Sequence, residues 1–360
     1  VLLRVDFNVP ISRGEVRDDF KIRSSLPTIR NLLRRKNCVV ILSHHSDRRQ
    51  TLKPVAEFLE RVIKEKVFFA RDMRVVLRTK KRIVFLENLR FWNGETGVRP
   101  SFARRLAKLG DVFVNDAFSV AHRREASSAI LPRLMPSYLG LRFEKEMMQL
   151  DQALKSPRRP LVAIIGGAKV KTKANLIKRF IHVADNILVG GASANIILRA
   201  RGVKIGRSGM ERGEASFKKM TRSKKMILPM DAIVASGGRM SKPKIFSFAK
   251  IFPKDVIYDI GPQTRSLFAG ALKKARSVIW NGPMGLVESK AFSGGTEFLA
   301  RLLAKHSGFV LVGGGDTIAF LDKIGLLKKF KHVSTGGGAM LAYLAGEKLP
   351  GLEALKKSKS

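Results

Sequence analysis

Residues 161–173 read LVAIIGGAKVKTK: an apolar run of strand length, Leu161–Ile165, stops at Gly166-Gly167 and gives way to Ala168-Lys169-Val170-Lys171-Thr172-Lys173. A buried strand, a tight glycine turn and a helix form the repeating unit of open α/β sheets, which place their ligands at that turn. The arrangement recurs at Leu311-Val312-Gly313-Gly314-Gly315-Asp316-Thr317 and at His332-Val333-Ser334-Thr335-Gly336-Gly337-Gly338-Ala339. Each glycine cluster lets backbone N–H groups approach an anion, and each opens on a helix start whose dipole favours phosphate. Lysines flank the first cluster. Asp316 brings the second a carboxylate suited to Mg²⁺, which binds through carboxylates and nucleotide phosphates together. A tight turn alone explains any one cluster; three of them, with Lys and Asp attached, point to a nucleotide site. Neither a Walker A motif nor GxGxxG is present, which argues against P-loop NTPases and simple dinucleotide binders.

Outward from there, short β-rich runs alternate with segments of helical period, the pattern of parallel sheets with crossover helices. The runs are Val1–Phe7, Cys38–Ser43, Val67–Ala70, Ile83–Glu87, Val112–Asn115, Leu161–Ile165, Asn186–Val189, Val256–Ile260, Val278–Trp280 and Val310–Val312. Helices are expected over Ser25–Arg35, Leu52–Lys64, Phe102–Leu109, Lys173–His182, Thr264–Lys274 and Thr296–Ala304, the first capped by Ser25 with Pro27 in its first turn. FEKEMMQLDQALK has helical spacing and SPRRP then interrupts it, so residues 143–160 read as a connector between two domains. A chain of 360 residues suits two cores of about 150–200 residues each. The KKSKS tail is expected to fray.

The balance of 69 Lys+Arg against 29 Asp+Glu, formally +40, attracts polyanions. The charges fall in short clusters (Lys80–Arg82, Lys218–Lys219, Lys224–Lys225, Lys356–Lys357) and read as a solvated basic surface. No zinc-ligand spacing, RNA-binding aromatic signature or bZIP-like heptad accompanies them. No apolar run is long enough to span a membrane, and VLLRVDFNVP is too quickly charged for a signal peptide. Val1 is not an initiator Met and lies inside a strand-like run, so a few preceding residues are expected. Cys38, the single cysteine, is expected to be a buried structural thiol.

The GGAKV run, Asp259-Ile260-Gly261-Pro262, Trp280-Asn281-Gly282-Pro283-Met284-Gly285, GGGDT and HVSTGGGA together resemble phosphoglycerate kinase. The first half adds Arg4-Val5-Asp6-Phe7-Asn8-Val9-Pro10, Leu26-Pro27-Thr28-Ile29, Leu42-Ser43-His44, Glu87-Asn88-Leu89-Arg90-Phe91, Asn115-Asp116-Ala117-Phe118 and Ala121-His122-Arg123, in the family's order. The resemblance implies two Rossmann-like α/β domains with parallel sheets, joined by a helix, the C-terminal segment packing back on the N-terminal domain. Residues 1–142 would bind 3-phosphoglycerate, 143–160 connect, 161–348 bind nucleotide, and 349–360 form the tail. It further implies reversible transfer between Mg-ATP and 3-phosphoglycerate, giving ADP and 1,3-bisphosphoglycerate, by a cytoplasmic monomer without membrane association.

Residue by residue, the resemblance puts Lys169 and Lys173 on phosphates, Lys169 following the transferring group, and Glu288 on ribose hydroxyls. Gly314, Gly315, Asp316 and Thr317 would line the phosphate and metal site, with Asp316 as the Mg²⁺ ligand. Gly336, Gly337 and Gly338 would offer N–H donors to the transferring phosphoryl. Asp6, Asn8, His44, Arg90 and Arg123 match positions that hold the acceptor. Asn281 and Pro283 read as turn scaffold. Lys21 stands where the family has its catalytic arginine, Asp47 where SHLGRP has a substrate-binding arginine, with Arg48 next to it, and Glu125 where AHRAH has its second histidine. Thr172, Ile257 and Ala342 also depart from the pattern. Two further readings follow from these departures and the charge: a catalytically weakened binding protein, or a polyanion-binding protein on the same fold.

Overall fold

In a computed structural model, the structure describes residues 1–208, 217, 220–236 and 242–358, without the Lys171 side chain. The Lys218–Lys219 cluster and the last two residues of the KKSKS tail lie outside these. The chain forms two compact units, Val1–Met148 with Glu347–Ser360, and Gln149–Gly346.

Unit 1 opens with β1 (Leu2–Arg4), the small hairpin β2 (Ile11–Ser12) and β3 (Glu15–Val16), and α1 (Phe20–Arg34). It continues through β4 (Val39–Leu42), α2 (Lys53–Ile63), β5 (Phe68–Ala70), α3 (Met73–Arg78), β6 (Ile83–Leu86), α4 (Asn93–Thr96) and α5 (Pro100–Ala107). The last strands are β7 (Phe113–Asn115) and β8 (Ser137–Leu139). A six-stranded sheet runs β5-β6-β4-β1-β7-β8, parallel throughout. Strands such as VVIL and IVFL are apolar at every position because both faces are covered. Leu3, Ile41 and Phe85 point to one face against Ile22, Ile29, Leu33, Val55 and Leu59 of α1 and α2. Their neighbours Leu2, Leu42 and Leu86 point to the other, against Met73, Val76, Phe102 and Leu106 of α3 and α5.

Helix α1 begins before Ser25, because Ile22 belongs to the same buried stripe as Leu26, Ile29 and Leu33. Ser25 is therefore buried in mid-helix rather than a cap, and Pro27 is interior, where it offers no N–H to the carbonyl four residues back. The Asp18 carboxylate accepts from the Phe20 N–H at 2.9 Å instead. Cys38 is exposed, contrary to expectation, since it ends the turn before β4 and only its carbonyl is engaged, by the Val1 amino group at 2.8 Å.

The helix α6 (Leu141–Lys155) contains the division between the units. Unit 2 then runs β9 (Leu161–Ile165), α7 (Val170–Val183), β10 (Asn186–Val189), α8 (Gly191–Ala200), β11 (Met226–Ile227), β12 (Asp231–Ala235), β13 (Lys244–Ser247) and β14 (Val256–Ile260). It ends with α9 (Pro262–Lys274), β15 (Ser277–Asn281), α10 (Gly294–Leu303), β16 (Phe309–Gly313), α11 (Gly315–Lys323), β17 (His332–Ser334) and α12 (Gly338–Leu344). Its parallel sheet runs β11-β10-β9-β15-β16-β17. Trp280, Val278, Val162 and Val312 pack from this sheet on Phe268, Leu272, Leu299 and Leu303 of α9 and α10. Val256–Ile260 is not part of that parallel sheet: it pairs antiparallel with β12 in a separate sheet, β13-β12-β14.

The chain closes with α13 (Pro350–Lys356), which belongs to unit 1. Its Leu349, Ala354 and Leu355 flank is buried and the Gly351 N–H donates to the Ala121 carbonyl at 2.8 Å. The tail does not fray at its start: Lys356 ends the helix and the Ser358 N–H donates to the Leu355 carbonyl.

Candidate active site

In unit 1 the polar residues gather where β1, β4, β6 and β7 end, the edge at which α/β sheets bind ligands. Asp6 follows β1, and Lys21, the second residue of α1, reaches it with Nζ 2.9 Å from Oδ2. The same ammonium donates to the Asn8 carbonyl at 3.2 Å, and the Ser119 hydroxyl donates to Asp6. Burial alone would raise the Asp6 pKa; Lys21 and these hydrogen bonds outweigh it and hold the carboxyl well below its ordinary range. Asn8 Oδ1 accepts from the Ser46 N–H, fixing the loop after β4.

His44 follows β4 and is buried, with Nδ1 3.1 Å from Arg4 Nη2. Burial and then the Arg4 charge drive its pKa well below 6.5, so it is a neutral imidazole with Nδ1 accepting. Arg4, fully buried in β1, also donates to Ser127 Oγ at 3.0 Å and to the Val5 carbonyl at 2.6 Å. Arg90 and Arg123 face Glu125, whose Oε1 lies 2.7 Å from Arg90 Nη2 and 3.7 Å from Arg123 Nη1. The residues expected from sequence on the acceptor thus fall into two groups at this edge, Asp6, Asn8 and Lys21 in one, and His44, Arg90 and Arg123, linked through Arg4 and Glu125, in the other.

The departures resolve locally. The Asp47 carboxylate accepts from the Arg49 N–H at 2.8 Å and pairs with its guanidinium at 3.4 Å. Arg48, next to it, is turned to Thr96, its Nη2 donating to Oγ1 at 3.0 Å. Thr172 donates to the Lys169 carbonyl on the exposed first turn of α7.

In unit 2 the first, second and third glycine clusters enter α7, α11 and α12 after β9, β16 and β17. Gly282, after β15, has φ +93°, and a Cβ there would stand 2.2 Å from the Gly166 carbonyl oxygen, so only glycine lets the two loops touch. Lys173, expected on a phosphate, is buried and donates through Nζ to Asn281 Oδ1. Burial lowers its pKa to about 8, Asp316 pulling it back up and Lys169 pushing it further down. Asn281, read from sequence as scaffold, is therefore the residue that aims this lysine; its signal was the polar side chain at the end of an otherwise apolar strand. Lys169 stands exposed at the N-cap of α7.

A cavity of about 300 Å³ opens beside these groups. Ala192 and Ala194 of α8, Val256, Ile257 and Tyr258 of β14, and Leu286 and Val287 make much of its wall, with Glu288 and Asp316 as carboxylates on the same lining. This is the size and mixed character of a small-molecule site. Thr317 is fully buried in the first turn of α11, and its Oγ1 accepts from the Gly282 N–H at 3.1 Å. The Gly336 N–H donates to Ser334 Oγ at 3.1 Å. Gly314 (φ +99°) and Gly337 (φ +49°) adopt left-handed conformations at the starts of α11 and α12. Among the described residues no group of three or more His, Cys, Asp or Glu is placed to hold a metal alone. A single carboxylate such as Asp316 suits Mg²⁺ that arrives with nucleotide phosphates, the ordinary mode for that ion.

Residues 1–347 match the family model described as phosphoglycerate kinase. The chain belongs to the phosphoglycerate kinase family. Phosphoglycerate kinases of Moorella thermoacetica and Rubrobacter xylanophilus are 40% and 41% identical to it, across 99% of this chain and 95% of theirs. The solved phosphoglycerate kinase of Coxiella burnetii superposes with a TM-score of 0.88 at 35% identity, covering 99% of this chain and 96% of that one. That of Pyrococcus horikoshii gives 0.87 at 30% identity, covering 99% and 95%. As a phosphoglycerate kinase family member the chain is a phosphotransferase of glycolysis, and its two parallel six-stranded sheets are the family's α/β architecture. No helix of the described residues is long and apolar enough to cross a membrane.

Proposed function

We propose that this chain moves a phosphoryl group reversibly between Mg-ATP and the carboxylate of 3-phosphoglycerate, giving ADP and 1,3-bisphosphoglycerate. Unit 2 holds the nucleotide and unit 1 the acceptor. The observation that carries the reading is the Asn281–Lys173–Asp316 group beside a nucleotide-sized cavity and three glycine-led helix starts. A carboxylate oxygen of the acceptor bonds to the γ-phosphorus as the bridging oxygen leaves with ADP, and no proton has to move. Such a transfer asks the protein for position and charge neutralisation more than for a covalent nucleophile. Lys173 is mostly protonated at neutral pH, and phosphates entering beside it favour that form further. The helix starts of α7, α11 and α12 add dipoles of the same sign, and Glu288 is on the cavity lining to take ribose hydroxyls. Asp316 would hold Mg²⁺, which when bound with nucleotide neutralises phosphate charge. Lys21, Arg90 and Arg123 serve the acceptor, Lys21 as a point charge where an arginine fork would also orient.

The reading includes a monomer acting in the cytoplasm, supported by the single unpaired cysteine and the glycolytic reaction class. The +40 balance supports a weak, salt-sensitive attraction to polyanions beside the reaction. The test is ATP consumption coupled to 3-phosphoglycerate. It should require both 3-phosphoglycerate and Mg²⁺, and Asp316→Ala should cut turnover far more than stability. ATP consumption indifferent to 3-phosphoglycerate sinks the acceptor, and activity persisting in EDTA sinks the metal.

A further inference from the structure

Among the described residues, Glu125 is the one acidic side chain paired with both Arg90 and Arg123, and its carboxylate is only 5% exposed. The fit is incomplete. Oε1 takes Arg90 Nη2 at 2.7 Å, while Glu125 Oε2 and Arg90 Nε are both buried without a hydrogen-bond partner. An arginine held by a matched carboxylate uses two parallel N–H donors. Here only one of the two donors is engaged, and the pair falls short of a matched fork.

The carboxylate is not needed to build its surroundings. The loop is held through its backbone, the Glu125 carbonyl accepting from Ser128 at 3.1 Å and Ala129 at 2.8 Å. Arg4, 3.6 Å from Oε2, already has Ser127, the Val5 carbonyl and His44 as hydrogen-bond partners, with Glu95 a second carboxylate at 3.9 Å. What the carboxylate does is part-neutralise the arginines assigned above to the acceptor.

We propose that Glu125 is a specificity-determining residue, a tethered carboxylate that occupies the acceptor arginines and that an incoming acceptor anion must displace. It sets how much 3-phosphoglycerate the enzyme needs, and this rests on the acceptor reading given above. One unit charge a few ångströms from the anion in a half-buried site changes affinity by about tenfold.

The test is titration calorimetry of 3-phosphoglycerate, and separately of Mg-ADP, into the full chain and into Glu125→Gln. The amide should tighten 3-phosphoglycerate about tenfold and lower its KM in parallel, with Mg-ADP affinity unchanged. A structural role predicts the opposite, weaker acceptor binding together with a lower melting temperature. Glu125→Asp keeps a charge near Arg4 but withdraws it from Arg90, and should tighten 3-phosphoglycerate by about threefold. Unchanged or weaker acceptor binding in folded variants overturns the inference alone. Failure of both variants to fold overturns it too, because the carboxylate would then be structural. If the wild-type chain binds Mg-ADP but no 3-phosphoglycerate, the acceptor reading itself has failed.

Discussion

Replacing Lys21 by Met removes the ammonium that faces Asp6 at 2.9 Å and leaves a carboxylate that is 12% exposed and still bonded by the Ser119 hydroxyl. Breaking a buried pair costs about 3–5 kcal/mol and an exposed one about 0–1. Lys21 is 30% exposed, so solvent screens part of its charge and the expected loss is about 2 kcal/mol at neutral pH. The pH dependence separates this from lost packing. In the wild type the Asp6 pKa lies below its ordinary 3.8, so the pair's contribution is complete above about pH 4 and declines only as pH falls further. In Lys21→Met the burial effect is no longer outweighed and the Asp6 pKa rises. The variant then recovers stability as Asp6 takes up a proton in mild acid. Urea unfolding of both proteins, followed through Trp92, should show the wider gap at pH 7.5 and a narrower one at pH 4.5. A gap of the same size at both values, or none, would refute the electrostatic account. The same change should lower kcat by about 10²–10³, the usual effect of removing one donor at the reacting centre.

For the nucleotide, Lys173 titrates near 8 instead of 10.5, so Mg-ADP affinity should fall as pH rises past about 8. Lys173→Arg should remove that inflection, which binding measured from pH 7 to 9.5 will report. Asp47→Arg should lower KM for 3-phosphoglycerate several-fold, whereas Arg48→Ala, whose guanidinium is engaged with Thr96, should leave it unchanged; steady-state kinetics of the pair decides. Lys21→Arg should raise kcat by restoring a planar fork. Gly282→Ala meets the Gly166 carbonyl as well as an unfavourable φ and should lower the melting temperature far more than Gly325→Ala. At Gly325 φ is +70° with open space around it, and the cost is about 1 kcal/mol.

Much of the fold was legible because doubly covered strands are apolar at every position. Leu161–Ile165 and Asn186–Val189 end where their runs end. The β12–β13–β14 sheet was not, since it depends on antiparallel pairing without the intervening helices that mark the parallel units. Ser25 was misread because a helix start was sought at a capping residue, while the stripe through Ile22 decided it. Cys38 was misread because the first residue of an apolar run was counted with the strand that follows it. At the site, residue type announced the glycine turns and the Asp316 carboxylate at the start of α11. Partnerships across long separations stayed hidden: Asn281 with Lys173, Arg4 with His44, and Glu125 with Arg90. Spacing shows which strand end a residue occupies, but not which neighbouring loop its side chain reaches.

The helix α13 has a consequence for how the molecule is made. Gly351 donates to the carbonyl of Ala121, at the foot of the loop that carries Arg123 and Glu125, and a Cβ at position 351 would stand 3.0 Å from Ala121 Cα, a tight approach. A ribosome therefore delivers the first strands of unit 1 long before the piece that completes it, with the whole of unit 2 synthesised in between. Unit 2 is one uninterrupted stretch and can fold as it emerges, while unit 1 waits for the last helix. During that interval residues 126–133 and β8 lack the helix that packs on them, and Leu349, Ala354 and Leu355 have yet to be buried.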